Sequence, residues 1–288
     1  MLRYVPGAQA LTDPPDSVIG LIKQRRRWTN GSLFASWYVL DHLNMISRSG
    51  HSCFRKSMLS LLYMYMLINF VFTLTLVGSL YASFHIFIKA FFDEEECDDF
   101  GGARAFEIAY LALLFIFILI AITKPIGKSG WVYTLFVIVF GVFIFVSIGF
   151  GALFFWEENE NIYIAGLLVI TLIGSYFLPP LLNFWRMNIF KYFFGVIILI
   201  FLTPTYINII IIYSMANLHD VSWGNRATDN KKDGATRKNL EQFRSLYLIV
   251  WIGVNAVYGY AIIYISTSET NRQVFMFILT VSKPIIIL

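Results

Sequence analysis

Charge is what this sequence has least of. Of its 288 residues, 14% are Asp, Glu, Lys or Arg, where a soluble domain carries roughly 25%. A large water-facing surface is therefore excluded. Cysteine is nearly absent. Cys53 and Cys97 cannot build a disulfide scaffold, and the long apolar stretch between them puts them on opposite sides of a bilayer. The four histidines, His42, His51, His85 and His219, show no metal-ligand spacing. A formal charge of +4 is too small to point to nucleic acid. The first thirty residues lack the apolar core of a secretory signal, and no internal repeat is visible.

What is present is apolar and aromatic. Hydrophobic residues make up 58% of the chain and aromatic residues 18%, which predicts an all-α membrane protein. A bilayer core needs about 20 apolar residues in a helix. Seven stretches reach or approach that length: 57–83, 105–123, 131–156, 162–182, 189–217, 245–265 and 273–288. Pro204 interrupts the fifth and predicts a kink. The fourth ends at Pro179 and Pro180, which predict a break. About six or seven transmembrane helices are expected. Glu107 and Lys191 lie near the ends of spans, where each can reach the interface.

Charge in the connections sets an orientation. Ahead of the first span, Arg3, Lys23, Arg25, Arg26, Arg27, Arg48, Arg55 and Lys56 outnumber Asp13, Asp16 and Asp41, so the N-terminal end should be cytoplasmic. "DEEECDDFGGAR" (93–104) and "WEENEN" (156–161) are acidic and fall outside by alternation. "TKPIGKSG" (123–130) carries two lysines and falls inside. The alternation breaks at residues 218–244. Five spans put them outside, while Arg226, Lys231, Lys232, Arg237, Lys238 and Arg244 argue inside. A fifth element that does not fully cross would also reconcile the two. "DEEECDDF" reads as a solvated external run in preference to a cation site.

Before the first span, 31–50 places Leu33, Phe34, Trp37, Tyr38, Leu40, Leu43 and Ile46 mostly on one helical face. It is too polar to cross and predicts an interfacial amphipathic helix. Upstream, "PPDSVIGLIKQRRRW" has a helix start, with Asp16 or Ser17 as the cap. In that helix Gln24, Arg27 and Trp28 stand at i, i+3 and i+4 and share a face. A guanidinium fork suits a diphosphate, an amide adds neutral hydrogen bonds, and an indole offers a flat surface to a sugar ring. Lys23, Arg25 and Arg26 read instead as topological charge beside anionic lipid. Asn30-Gly31-Ser32 fits a glycosylation pattern but falls on the cytoplasmic side, where no glycan is expected.

Gln24-Arg25-Arg26-Arg27-Trp28 resembles the Q-x-x-R-W motif of processive family-2 glycosyltransferases, and "QRRRWTNGS" resembles chitin synthases most. Four further blocks resemble the same family, in family order. They are "YVPGA" (4–8), "SRSGHSCFRK" (47–56), "TKPIGKSGWVYT" (123–134) and "LTPTYINIIIIYSMANLHDVSWG" (202–224). Asn225 stands where the family usually has threonine, with Arg226 keeping the next charge.

The resemblance implies two regions. Residues 1–56 would be the end of a cytoplasmic glycosyltransferase domain, holding the Q-x-x-R-W helix and the interfacial helix. Residues 57–288 would form a transmembrane channel. Gln24, Arg27 and Trp28 would bind the donor diphosphate and the acceptor end. Val5, Pro6, Gly7 and Ala8 would form a loop at the channel mouth. His219, Asp220, Ser222, Trp223 and Gly224 belong to a family block without an assigned role. The partners implied are UDP-GlcNAc, a nascent chitin chain and the lipid bilayer, with a homodimer compatible and no nucleic acid. The location implied is the plasma membrane. The family's GT-A α/β catalytic domain, its general base and its Mg2+ or Mn2+ ligands are expected upstream of this chain. No catalytic or metal residue is therefore assigned here, and the chain alone is expected to be inactive. The alternatives are another polysaccharide synthase, of cellulose or hyaluronan type, or a small polytopic transporter.

Overall fold

The computed structural model describes residues 15–93, 101–157, 176–185, 187–220 and 234–266 almost completely, with isolated positions at 7, 13 and 174. Every regular element among the described residues is helical. In chain order these are α1 (Val18–Asp41), α2 (Asn44–Arg48), α3 (Cys53–Asp93), α4 (Gly102–Thr123) and α5 (Gly130–Glu157). Then come α6 (Ile189–Pro204), a π-helical turn (Thr205–Ile211), α7 (Ile212–Ala216) and α8 (Gly234–Ser266). Five of the resulting helical rods are long and apolar enough to cross a membrane: Cys53–Lys89, Gly102–Thr123, Gly130–Ser147, Ile189–Ala216 and Lys238–Ile265. This is an all-helical, multi-pass membrane protein.

The rods pack as a bundle whose core is aromatic. Phe117 meets Tyr133, Phe136 and Phe140 at ring-centroid distances of 5.7, 5.2 and 6.1 Å, and Phe84 stacks on Tyr110 at 4.5 Å. α5 and the α6–α7 rod run antiparallel, because Tyr133 meets Tyr213 while Phe145 meets Phe201. The chain therefore leaves α5 and enters α6 at the same end of the bundle. The sequence stretch 162–182 lies between those two points, which a single crossing would not join. Most of it, and all of 273–288 and 94–100, lies outside the described residues. The backbone stays helical through Pro179 and Pro180, and the break falls after residue 182.

Pro204 does mark an irregularity. It ends α6 and opens a seven-residue π-helix. Proline lacks the N–H that the carbonyl one turn earlier needs, and a wider turn is one way to absorb that defect in a membrane helix.

One contact shows how tightly the rods approach. The Asn255 side chain of α8 accepts from the Gly78 N–H at 2.8 Å and donates to the Leu74 carbonyl at 2.8 Å. These are the two groups that an α-helical i→i−4 bond joins, so the amide enters the hydrogen-bond ladder of α3. It can do so because Gly78 has no side chain. A Cβ there would lie 2.5 Å from the Asn255 carbonyl oxygen. Gly78→Ala is expected to destabilise the bundle by about 1–3 kcal/mol, the usual cost of overpacking. Thermal unfolding in detergent micelles reads this directly, and an unchanged midpoint would refute the close approach.

α1 lies across one end of the bundle. At its start, Gly130 approaches Ile19 and Gly127 approaches Lys23. Towards its end, Phe34 meets Phe243 of α8 at 6.4 Å and Trp37 meets Phe70 of α3 at 6.5 Å. The interfacial helix expected at 31–50 is thus the second half of a longer one. α1 runs from Val18 to Asp41 without a break at Gly31, and only α2 stands apart.

Candidate functional site

The site is built on α1. Its N-cap is Ser17, whose hydroxyl accepts from the Gly20 N–H at 3.1 Å. From that start the helical register fixes two faces. Ile22, Arg26, Thr29 and Leu33 are buried. Gln24, Arg27 and Trp28 fall on the opposite side, where Gln24 and Arg27 are half-buried and Trp28 is 57% exposed. The three residues expected to share a face are therefore adjacent and accessible together.

The neighbouring arginines are not merely topological charge. The Arg25 guanidinium lies 4.6 Å from the Trp28 ring centroid, a cation–π arrangement that covers one side of the indole. Arg26 turns inward. It is 5% exposed and forms an ion pair with Asp220. Burial is the main force lowering its pKa from the ordinary arginine value; the nearby Tyr213 opposes the shift and Arg27 adds to it. Charge composition gave no hint of this, but spacing did. Arg26 sits at i+4 from Ile22 on the apolar stripe of α1, so its head group needs a buried partner.

Asp220 belongs to the "HDVSWG" block, 194 residues further along the chain. The residues before it are held firmly. Asn217 donates to the Ala121 carbonyl at the end of α4 at 3.2 Å, and to the Tyr213 carbonyl at 2.9 Å. Arg244, near the start of α8, reaches the Ala216 carbonyl at 3.4 Å. Residues 216–220 and the start of α8 therefore share the α1 end of the bundle with the α4–α5 connection. This resolves the conflict over 218–244 in favour of the side that carries α1. His219 is half-buried beside this turn. Ser222, Trp223 and Gly224 lie outside the described residues, as do Val5, Pro6 and Ala8. Gly7 is an exposed turn residue.

Polar groups also line the bundle interior, a feature that sequence reading missed. Asn208 of the π-helical turn donates to the Tyr110 hydroxyl at 2.8 Å, with both residues 0% exposed. Towards the far end, Glu107 pairs with His85 at 3.1 Å and accepts from the Tyr81 hydroxyl. Glu107 thus turns inward between helices and does not reach out to the interface. Among the described residues no three His, Cys, Asp or Glu side chains gather to hold a metal ion. These residues do not fit one, and no step is assigned to it.

A transverse helix with a guanidinium–amide–indole face, clamped to the end of an aromatic membrane bundle, defines a membrane-embedded protein with an interfacial site. The comparisons make this specific. Residues 1–43 match the chitin synthase-like glycosyltransferase domain. The chain is 32% identical over 269 residues to chitin synthase 2 of Cryptococcus neoformans var. grubii, covering 84% of this chain and 28% of that protein. It is 33% identical over 270 residues to chitin synthase 3 of Verticillium dahliae, covering 83% and 30%, and 29% identical to chitin synthase C of Aspergillus oryzae over 259 residues. The chain is a chitin synthase region of glycosyltransferase type, and it spans less than a third of the length of these curated relatives.

Proposed function

We propose that this region is the acceptor-binding and membrane-translocating part of a chitin synthase. The complete enzyme would transfer N-acetylglucosamine from UDP-GlcNAc to the 4-hydroxyl of a growing chitin chain and pass that chain through the bundle. Gln24 and Arg27 would hold the donor diphosphate, and the free side of the Trp28 indole would pack against the terminal sugar. The loop containing Val5, Pro6, Gly7 and Ala8 would border the channel entrance. The general base and the Mg2+ or Mn2+ ligands would come from outside these residues. The membrane would be the plasma membrane, with the α1 end cytoplasmic and two copies compatible with one assembly.

The observation that supports this reading best is the Arg26–Asp220 pair. It ties the two blocks that most resemble chitin synthases to one end of the bundle, with the Gln24–Arg27–Trp28 face turned away from the core. A general base must reach the acceptor hydroxyl directly or through one water, and the acids Asp13 and Asp16 of the N-terminal segment stand in no such block.

Two assays on the purified chain in detergent test the proposal. Chitotetraose is expected to quench tryptophan fluorescence in the wild type, and Trp28→Ala is expected to lose that response. Transfer from UDP-GlcNAc is expected to be undetectable. Equal chitotetraose affinity in Trp28→Ala would remove the acceptor assignment, and turnover by this chain would overturn the missing-base argument.

A further inference from the structure

Beneath the second half of α1 lies a crevice of about 420 Å³, walled by α1, α3 and α8. It is distinct from the Gln24–Arg27–Trp28 face, which lies two to four turns earlier on α1. Trp37, Phe70, Leu74, Trp251 and Val254 make its lining overwhelmingly apolar. Three polar features interrupt that lining. Trp251 is 4% exposed, and its indole N–H has no hydrogen-bond partner among the described residues. The Tyr247 hydroxyl is likewise buried and unpartnered among them. Asp41, at the end of α1, is the one ionisable lining group of acidic or basic type, and its side chain is 72% exposed.

The position of the crevice decides what can enter. Its walls on α3 and α8 belong to helices apolar enough to cross a membrane, while α1 lies across the bundle end, where headgroups meet chains. Lipid, not water, is the solvent at that depth. An unpaired donor in an apolar wall costs free energy that an acceptor oxygen would recover. The carboxylate of Asp41 disfavours a phosphate headgroup and favours a hydroxyl, which can donate to it. The flat aromatic walls suit a rigid body better than a flexible chain, which would lose rotamer freedom on binding.

We propose that this crevice is a binding site for a neutral membrane lipid with a rigid apolar body and a hydroxyl head, the chemistry of a sterol. Its apolar body would pack against Trp37, Phe70 and Leu74. Polar oxygen at its head would meet Asp41 or the Trp251 and Tyr247 donors. This site would tune how α1 seats on the bundle without touching substrate.

The test uses the full chain in phosphatidylcholine vesicles with a diazirine-bearing cholesterol analogue. After irradiation, labelled peptides are mapped by mass spectrometry. Labelling is expected on the segments around Trp37, Phe70 and Trp251, and it should be displaced by plain cholesterol. Trp251→Phe keeps the ring and removes the donor, so labelling should weaken about 2- to 10-fold, the reach of one net hydrogen bond. Val254→Trp, at a half-exposed position, should fill the crevice and abolish labelling while circular dichroism shows unchanged helicity. Should Val254→Trp lose helicity, Trp251→Phe and the cholesterol competition decide. Equal labelling by a diazirine phosphatidylcholine would overturn the proposal in favour of a general acyl-chain contact. Displacement by chitotetraose would overturn it in favour of a sugar path. Unchanged labelling in both folded variants would place the lipid elsewhere.

Discussion

Removing the carboxylate of Asp220 is expected to cost the folded chain about 3 kcal/mol, more than removing its partner Arg26. The asymmetry follows from burial. Arg26 is 5% exposed, whereas Asp220 keeps 41% of its side chain in contact with solvent. Asp220→Ala leaves a guanidinium without its carboxylate inside the protein, and truncating one partner of a buried pair typically costs 3–5 kcal/mol. Arg26→Met leaves a carboxylate that water can reach, so its cost falls to about 1–2 kcal/mol. The double variant Arg26→Met, Asp220→Ala should recover part of the loss, because two apolar groups leave nothing unsatisfied. Unfolding in detergent micelles gives the energies, and hydrogen exchange at residues 217–220 shows whether the turn detaches from α1. Equal costs for the two single variants would mean that Arg26 is solvated and that the pair does not clamp the site.

The same pair shows what the sequence could and could not tell. Membrane class, helical content and most spans were legible, because apolar runs of bilayer length have few other uses. The Ser17 cap and the disturbance at Pro204 followed from local chemistry that tertiary structure rarely overrides. The faces of α1 were half legible. The i, i+3, i+4 rule placed Gln24, Arg27 and Trp28 together, but Arg26 was read by its charge when its register with Ile22 and Leu33 was the stronger signal. The side of 218–244 was not legible. Basic residues there competed with a count of spans, and the count fails wherever a stretch such as 162–182 starts and ends on one side. Interhelical polar contacts were illegible too. Nothing local marks Asn255 as the partner of Gly78, or Glu107 as the partner of Tyr81 and His85, since each depends on which helices become neighbours.

Trp28→Ala is expected to reduce polymer synthesis at least 100-fold in a complete synthase carrying this region, with membrane insertion and helicity unchanged. The side chain is 57% exposed, so its loss removes little from the core, and any large effect must come from what it binds. An aromatic platform under a sugar contributes about 1–1.5 kcal/mol to ground-state binding by analogy with aromatic pairs. The remainder must come from misplacing the acceptor hydroxyl, and misplacement by about 1 Å can cost 100-fold. The arginines beside it separate this reading from simple charge. Arg25 sits over the indole, and a lysine ammonium can occupy the same face of a ring, so Arg25→Lys should keep most activity. Arg27 is assigned to a diphosphate, and one ammonium cannot reproduce a planar fork of donors. Arg27→Lys should therefore lose activity at least tenfold, chiefly through a raised KM for the nucleotide sugar. Both variants conserve net charge, so equal activities would return the whole block to a membrane-facing role. If instead Arg25→Lys proved the weaker enzyme, the diphosphate assignment would pass from Arg27 to the guanidinium that covers Trp28.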